Sequence, residues 1–399
     1  MIDVAAVVLD VDFMLENSPV FQAQVGDQLL ALNASGYRVG LVSTFRDRAR
    51  FDRAIGHRLE AAGVGVSLVP HTSLGVNLLR VGNAVRRLHR SRGVRCAYVR
   101  GIWGRLAIAI GAPGSIPYIY DVRGALSDET RAGGSARVKA SIFRMLERES
   151  VRSARAVTAV SRPLADMLRR EYNRSDVRVI PSSVSVDALA VSDEERVRAR
   201  DELKIGPDET VFLYSGGLDY YQRIPDMLSL WESFLGDPKV RFLLVTNDAP
   251  NTRGATGATE RFGRRLTQLS VPRARVPQVL AAGDIGFMLR ESRVMNAAAS
   301  PVKFAEYLAA GLAVVTSPGI GDLSELVTSE RLGALVDVQR VAEGIPVVGA
   351  LLREVRTGRA GFRQRALAVA RERYDWRSHL AIYRTLYGAP PEVSACAAS

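Results

Sequence analysis

The chain has 399 residues, of which 24% are charged and 47% are hydrophobic, and this composition is ordinary for a folded globular protein. No apolar run reaches the roughly 18 residues that a membrane-spanning helix needs, and the amino terminus MIDVAAVVLDVDF lacks the basic start of a secretory signal. Cys96 and Cys396 lie far apart in the sequence, which favours neither a disulfide framework nor a metal site and predicts a reducing, cytoplasmic compartment. The net charge of +12 is typical of a protein that binds an anionic partner, and equally of a protein with solvated, arginine-rich surfaces.

Strand and helix patterns alternate along the first part of the chain. Buried β-rich runs occur in VAAVVLDV, YRVGLVS, VGVSLVP, RCAYVRG and IPYIYDVRG, and helical patterns such as FQAQVGDQLLALNASG and FDRAIGHRLEAAG separate several of them. A long basic helix, SARVKASIFRMLERESVRSA, is followed by AVTAVS, RPLADMLRREY and VRVIPSS. This βα order predicts a parallel sheet that is covered by helices on both faces.

The second part of the chain repeats this pattern after a polar interruption. The polar and acidic stretch from Val184 to Ile205 predicts a linker with a short helix. A new series of alternating strands and helices then includes TVFLYSGGLD, RFLLVTN, IGFMLR and LGALVD. We therefore predict an α/β protein with two doubly wound Rossmann-like domains that face each other across a ligand-binding cleft. The predicted divisions are a first domain at 1–190, a linker at 191–207, a second domain at 208–372, a closing helix at 373–390 that packs on the first domain, and a tail at 391–399.

The stretch AAASPVKFAEYLAAGLAVV, which starts at residue 297, predicts a helix that binds phosphate. Ser300 is a residue type that caps helices, and Pro301 suits the first helical position. Lys303 and Glu306 then lie one turn apart on the same face. Free N–H groups, the positive end of the helix dipole and a lysine together form a site for a diphosphate. A glutamate one turn further in is placed to accept two hydroxyls, such as those of a ribose.

The segment SPVKFAEYLAAGLAVVTSPGIGD resembles the donor-nucleotide motif of the family-4-like retaining glycosyltransferases of GT-B fold. The segments IPYIYDVRG, AVTAVSRPLADML, VRVIPSSV and VFLYSGGLD occur in the order that this family shows, so the resemblance spans most of the chain. It implies transfer of a sugar, of the hexosyl type, from a UDP- or GDP-sugar to a saccharide, lipid-linked or small-molecule acceptor. The resemblance also implies retention of anomeric configuration, no bound metal or other cofactor, and a role such as polysaccharide biosynthesis.

The resemblance assigns roles to residues at the matching positions. It places the ribose on Glu306 and the diphosphate against Lys303 and the N–H groups around Pro301 and Val302. In the same way, the resemblance implies a close backbone approach at the glycine loop, a phosphate contact from a strand end, and polar side chains that face the transferred sugar and the acceptor. The residues in these further roles are, in that order, Gly216 and Gly217, Arg290, and Asp121 with Arg123. The candidate catalytic residues are Lys303, Glu306, Arg223, Asp121 and Arg123, and the candidate donor-binding residues are Gly216, Gly217, Arg290, Ser300, Pro301, Val302 and Glu306.

The sequence departs from the family pattern at three places. Ala298 stands where the family commonly has a first glutamate, eight positions before Glu306. Arg223 lies near, but not on, the position of the lysine expected after the glycines. The segment ENSPVFQ replaces the amino-terminal glycine-rich loop and leaves Ser18 as the residue that meets the acceptor.

Other functions stay open at this stage. A GT-B-like protein that binds nucleotide without catalysis fits the missing glutamate, and VVLDVDFML resembles the start of a haloacid dehalogenase-like phosphatase, although Met14 stands where Thr or Ser is wanted. No zinc-finger or helix-turn-helix signature indicates a nucleic acid partner. The basic helix around Arg144, Arg148 and Arg152, with Arg137 and Lys139, is typical of attachment to anionic lipid and equally of a solvated helix packed on its own domain.

Overall fold

The computed structural model describes residues 1–8, 19–112, 114, 116–124, 137–248 and 257–390. The chain divides into two compact units. Unit 1 contains Met1–Val184 together with the segment that begins at Trp376, and unit 2 is Ser185–Asp375. The units therefore divide six residues before the predicted boundary at 190.

Unit 1 is built on a parallel sheet of seven strands in the order β3-β2-β1-β4-β5-β6-β7. The strands are β1 Ile2–Val8, β2 Val39–Phe45, β3 Gly65–Pro70, β4 Val94–Arg100, β5 Tyr118–Val122, β6 Ala156–Ala159 and β7 Val177–Val179. All seven residues of β1 are buried. This strand pairs with two neighbours, so that Val4 faces both Val39 and Cys96. A strand that is covered on both faces reads as a continuous apolar run, and this is why the sequence predicted it.

Helical segments connect these strands. The longer ones are Asp27–Ala34, Leu74–Arg92, Gly101–Gly111, Arg137–Ser153, Arg162–Tyr172 and Leu380–Tyr387. Shorter segments are Pro19–Phe21 and Gln22–Gly26 before the first of these, Arg48–Phe51, Asp52–Gly56 and His57–Ala61 after β2, and Trp376–His379 near the end.

The helix Gly101–Gly111 was not predicted, because its glycines make it a poor helix former in isolation. Those glycines serve its packing against the helix Leu74–Arg92. A Cβ atom on Gly82 would lie 2.9 Å from the backbone nitrogen of Gly111, a distance that no side chain tolerates. Tertiary contact therefore overrides local propensity at this crossing.

Unit 2 has a parallel sheet of six strands in the order β10-β9-β8-β11-β12-β13. The strands are β8 Thr210–Ser215, β9 Val240–Val245, β10 Leu266–Leu269, β11 Ile285–Met288, β12 Ala313–Thr316 and β13 Gly333–Leu335. An aromatic cluster fills one face, with ring centroids 4.9 Å apart for Phe212 and Phe287 and 5.4 Å apart for Trp231 and Phe242. The edge strand β10 was not predicted, because LTQL is only four residues long and its two central residues are polar.

The helices of unit 2 include one of 29 residues, Val341–Val369, which has a kink at Gly358. The other α-helices are Val186–Leu189, Asp193–Glu202, Ile224–Glu232, Ala258–Phe262, Val276–Ala281, Val294–Ala297, Val302–Ala309 and Leu323–Ser329. Single turns and π-segments are Tyr220–Gln222, Gly263–Arg265, Arg273–Arg275 and Ala370–Tyr374.

The stretch predicted as a linker, 191–207, is a packed part of unit 2. Its short helix, Asp193–Glu202, carries two arginines that reach a fully buried carboxylate. Arg196 pairs with Asp284 at 2.7 Å, and Arg200 pairs with it at 3.3 Å. The polar composition that indicated a linker therefore reflects a buried ion cluster.

The closing segment that begins at Trp376 packs on the rest of unit 1. The indole nitrogen of Trp376 donates to the carbonyl of Ala23 at 3.0 Å, and Gln28 donates to the hydroxyl of Tyr383 at 2.7 Å. Trp376 and Tyr383 are each only 1% exposed. Among the described helices, none has the length and apolar character that crossing a membrane requires.

Candidate functional site

The candidate donor residues gather at the carboxyl edge of the unit 2 sheet. Gly216 and Gly217 follow β8, Arg290 lies two residues after β11, and the helix Val302–Ala309 follows a short turn. Since parallel strands end at the same edge, the fold brings together residues that are up to 90 positions apart in sequence.

Lys303 is the centre of this group of residues. Its Nζ donates to the hydroxyl of Tyr214 at 2.7 Å and to the side-chain oxygen of Gln222 at 2.9 Å. The same nitrogen lies 4.3 Å from the centroid of the Tyr214 ring, which is a cation–π distance. Neither Tyr214 nor Gln222 was singled out from the sequence, because nothing local to them indicates this contact.

Gly216 leaves room for that lysine. The residue has φ +141°, and a Cβ atom placed on it would lie 2.6 Å from Lys303 Nζ. Only glycine combines this backbone conformation with the required space. The resemblance implied that the bare backbone of the glycine loop lets a group approach closely. In this structure, the group that approaches Gly216 is the side chain of Lys303.

The electrostatics of the site favour an anion. Burial lowers the pKa of Lys303 well below its ordinary value, and the neighbouring charge of Arg290 lowers it further, while Glu306 and Asp219 oppose the shift. Burial also lowers the pKa of Arg290. Two cations that are kept from water and repel each other would both be stabilised by a bound anion.

The helix that carries Lys303 begins one residue later than predicted. It starts at Val302, so Pro301 rather than Ser300 occupies the N-cap position, and no side-chain hydrogen bond caps it. The prediction that Ser300 occupies the N-cap position was therefore wrong. The backbone of Pro301 is extended, with ψ 126°, so Pro301 is the last non-helical residue before the helix begins. The first N–H groups of any helix have no partner within the helix, and together with the helix dipole they favour a bound anion.

Glu306 is buried one turn inside that helix. Its side chain is 11% exposed, and Arg273 Nη1 lies 3.5 Å from its Oε1. This distance is long for a hydrogen bond, so the arginine holds the carboxylate weakly. Each oxygen of the carboxylate thus keeps acceptor capacity for hydroxyl groups.

Arg290 and Arg223 differ in the groups that their guanidinium groups already contact. The Arg290 guanidinium lies 5.3 Å from the centroid of the Tyr221 ring, and its Nε is buried with no hydrogen-bond partner. Arg223 has the left-handed φ of +50° and pairs with Glu291 and Asp226, both at 2.6 Å. A phosphate would therefore meet Arg290 directly, whereas it would compete with two carboxylates for Arg223.

Asp121 and Arg123 belong to unit 1 and form a buried ion cluster there. Thr158 donates to Asp121 at 2.9 Å, and the second oxygen of Asp121 lies 3.2 Å from Arg100 and 3.7 Å from Arg123. Asp121 is fully buried. Arg100 was missed from the sequence, although it ends β4 directly beside Asp121 in the sheet register.

The remaining sequence expectations concern Ala298, Ser18, the segment VVLDVDFML and metal binding. Ala298 is buried, with 3% exposure, and supplies no polar group. Ser18 and the aspartates of VVLDVDFML lie outside the described residues. Among the residues that the structure describes, no group of three His, Cys, Asp or Glu side chains is placed to hold a metal ion.

Residues 22–182 match the family model described as a glycosyl transferase 4-like domain. No curated protein sequence matches the chain.

Solved structures with the same fold align over nearly the whole chain. Sucrose-phosphate synthase from Thermosynechococcus elongatus is 16% identical, with a TM-score of 0.70, and the alignment covers 97% of this chain and 99% of that one. HepE of Anabaena, solved in complex with UDP-glucose, is 18% identical with a TM-score of 0.71 over 96% and 98% of the two chains. WaaG, a glycosyltransferase involved in lipopolysaccharide biosynthesis, is 13% identical with a TM-score of 0.65 over 96% and 99%.

Proposed function

We propose that this chain, which is a GT-B glycosyltransferase with a glycosyl transferase 4-like domain at residues 22–182, moves a hexosyl group from a UDP- or GDP-sugar to a saccharide, lipid-linked or small-molecule acceptor. The observation that carries the proposal is the position of Lys303. Its buried side-chain nitrogen lies beside Gly216, within the electrostatic influence of Arg290, in the first turn of a helix. HepE, which has the same fold, was solved with UDP-glucose, and this supports a nucleotide sugar as the donor.

Lys303, Arg290 and the helix end would act on the leaving group. When the bond from the sugar to the diphosphate breaks, negative charge grows on the diphosphate oxygens. Fixed cations and N–H groups that point at those oxygens stabilise the charge without having to reorganise. Loss of one such donor typically lowers kcat by about 10²- to 10³-fold. Because the protein itself supplies this positive charge, we propose that transfer needs no metal ion, and activity should survive chelation with EDTA.

Glu306 would bind the ribose of the donor. Its carboxylate has acceptor capacity for two vicinal hydroxyls and lies one helical turn from Lys303. A thermal-shift screen with UDP, GDP, ADP and their sugars should identify a stabilising nucleotide for the native protein and a smaller shift for Glu306→Ala. Glu343→Ala is the matched control, because Glu343 is 67% exposed and lies on another helix. Equal shifts for the native protein and Glu306→Ala would remove Glu306 from the ribose site.

Turnover separates an enzyme from a protein that only binds nucleotide. Release of UDP or GDP from a panel of nucleotide sugars, with and without acceptors, is the measurement. Binding without any release would favour the catalytically impaired alternative that the absence of a glutamate at Ala298 left open. The anomeric configuration of a product, read by NMR, tests the proposed retention.

We also propose that unit 1 attaches peripherally to an anionic membrane, on its cytoplasmic side, through the helix Arg137–Ser153. Three apolar side chains on this helix face solvent: Val138, Ile142 and Met145 are 69%, 48% and 63% exposed. Their spacing of four and then three residues puts them in one stripe. An exposed apolar stripe on a helix that also carries exposed arginines matches the chemistry of an acidic lipid surface. Such attachment would bring a lipid-linked acceptor, and polysaccharide biosynthesis, within reach.

Co-sedimentation with vesicles of phosphatidylglycerol and phosphatidylcholine tests this attachment. The native protein should sediment at low salt and be released at high salt, and Ile142→Glu should abolish sedimentation. Val197→Glu is the control, because Val197 is 57% exposed but lies in unit 2. Absence of sedimentation at low salt, or equal effects of the two variants, would contradict attachment through this helix.

A further inference from the structure

We propose that Glu291 recognises hydroxyl groups of the transferred sugar. This inference rests on the proposed function and adds a unit 2 residue for the transferred sugar, a role that the sequence resemblance gave only to Asp121 and Arg123 of unit 1. Glu291 lies three residues after β11, at the same edge of the unit 2 sheet as Arg290.

A small surface cavity lies beside Glu291. The residues that line it are Tyr220, Tyr221, Glu291, Arg293, Met295 and Asn296. The cavity therefore combines two aromatic rings, a carboxylate and an amide. Aromatic faces pack against the C–H surfaces of a sugar ring, while carboxylates and amides bind its hydroxyls.

The cavity adjoins the cations of the proposed diphosphate site. Arg290 has its guanidinium over the ring of Tyr221 and its Nη1 3.4 Å from the side-chain oxygen of Asn296. Asn296 in turn donates to the backbone carbonyl of Glu291 at 2.8 Å. Gln222, next to Tyr221 in the chain, accepts from Lys303. A group attached to the outer phosphate of a diphosphate that contacts Arg290 and Lys303 would therefore lie close to this cavity.

The carboxylate of Glu291 is held in place and still has capacity to accept. One oxygen pairs with Arg223 Nη1 at 2.6 Å, and the other pairs with Arg293 Nε. An ionised carboxylate offers about four lone-pair positions, so each oxygen retains one for a hydroxyl. The side chain is 19% exposed, which makes it reachable from the cavity. A rigid, partly dry carboxylate binds a hydroxyl more strongly than a solvated one.

A simpler role for Glu291 would be to hold Arg223 in position. Asp226 provides the comparison, because it pairs with the same arginine at 2.6 Å but does not line the cavity. If Glu291 acts only through Arg223, then neutralising Asp226 should have the same kind of effect as neutralising Glu291.

The test compares nucleotide sugars with free nucleotides by calorimetry. Native protein, Glu291→Ala, Glu291→Gln and Asp226→Asn are titrated with UDP-glucose, UDP-galactose, UDP-N-acetylglucosamine and GDP-mannose, and with UDP and GDP. For the nucleotide sugar that binds the native protein best, Glu291→Ala should lose at least about 10-fold in affinity, while binding of the matching free nucleotide stays within about twofold. Glu291→Gln, which keeps one acceptor oxygen, should lose less, and Asp226→Asn should keep the native ratio of the two affinities.

Other results overturn the inference in distinguishable ways. Equal losses for the nucleotide sugar and the free nucleotide, or the same change of ratio in Asp226→Asn, would show that Glu291 acts through Arg223. An unchanged ratio in Glu291→Ala would remove Glu291 from sugar recognition while the proposed function stands. If the native protein binds none of the six ligands, the proposed function itself fails, and the inference fails with it.

Discussion

The contact between Gly216 and Lys303 allows a prediction whose size follows from the structure. Gly216→Ala places a methyl group 2.6 Å from Lys303 Nζ and forces an alanine to adopt φ +141°. The backbone strain costs on the order of 1–3 kcal/mol of folding free energy. The flexible lysine moves away from the methyl group and loses its hydrogen bonds to Tyr214 and Gln222. A cation that is displaced from the leaving group lowers kcat by about 10²- to 10³-fold.

The assay measures nucleotide release in the presence of excess donor, together with thermal unfolding of the same samples. Gly349→Ala is the matched control. A Cβ atom on Gly349 would lie 3.8 Å from its nearest neighbour, and because Gly349 is within a helix, alanine there should raise the free energy of unfolding by up to about 1 kcal/mol. We expect a large loss of rate for Gly216→Ala and none for Gly349→Ala. A Gly216→Ala protein that is destabilised but retains the native rate would refute the catalytic placement of Lys303.

Three further predictions concern stability and reactivity. Asp284→Asn should lower the free energy of unfolding in urea by about 3–5 kcal/mol, because Asp284 is fully buried among three arginines, and a loss below about 1 kcal/mol would contradict that account. The folded chain holds the pKa of Lys303 below its ordinary value, so between those two values the unfolded chain binds more protons and this group's contribution to stability rises with pH. It is lost as pH falls through the folded pKa; Lys303→Met should remove this part of the pH dependence of unfolding, and identical pH profiles would show that the lysine is not desolvated. Burial raises the pKa of Cys96 to about 11, so in a Cys396→Ser chain a thiol reagent at pH 8 should react only after addition of urea, and rapid reaction of the native chain would contradict the burial.

Much of the fold could be predicted because its signals are local. The strand β1, which is buried along its whole length, contains the apolar run VAAVV, and such a run is typical of a strand covered on both faces. The helix Gly101–Gly111 gave no such signal, since its glycines are explained only by the neighbouring helix across Gly82. The helix Asp193–Glu202 appeared to belong to a linker, since its arginines find Asp284 more than 80 residues later.

Some residues of the candidate site could likewise be predicted from local sequence, whereas their distant partners could not. Lys303 and Glu306 could be identified because a proline, a one-turn spacing and a following glycine lie within a dozen residues. The contact between Lys303 and Gln222 spans 81 positions, and the pairing of Glu291 with Arg223 spans 68. No pattern within either segment specifies the other, so these partners become visible only once the sheet has brought the segments together.

The most direct test of the central claim is to compare a nucleoside with its diphosphate. Calorimetric titration of the native protein with uridine and UDP, and with guanosine and GDP, measures what the two phosphates contribute to binding. We predict at least a 100-fold preference, by order of magnitude, for one diphosphate over its nucleoside, and the loss of most of that preference in Lys303→Met. Equal binding of nucleoside and diphosphate by the native protein, or a preference that Lys303→Met leaves unchanged, would contradict the assignment of this helix end as the phosphate site.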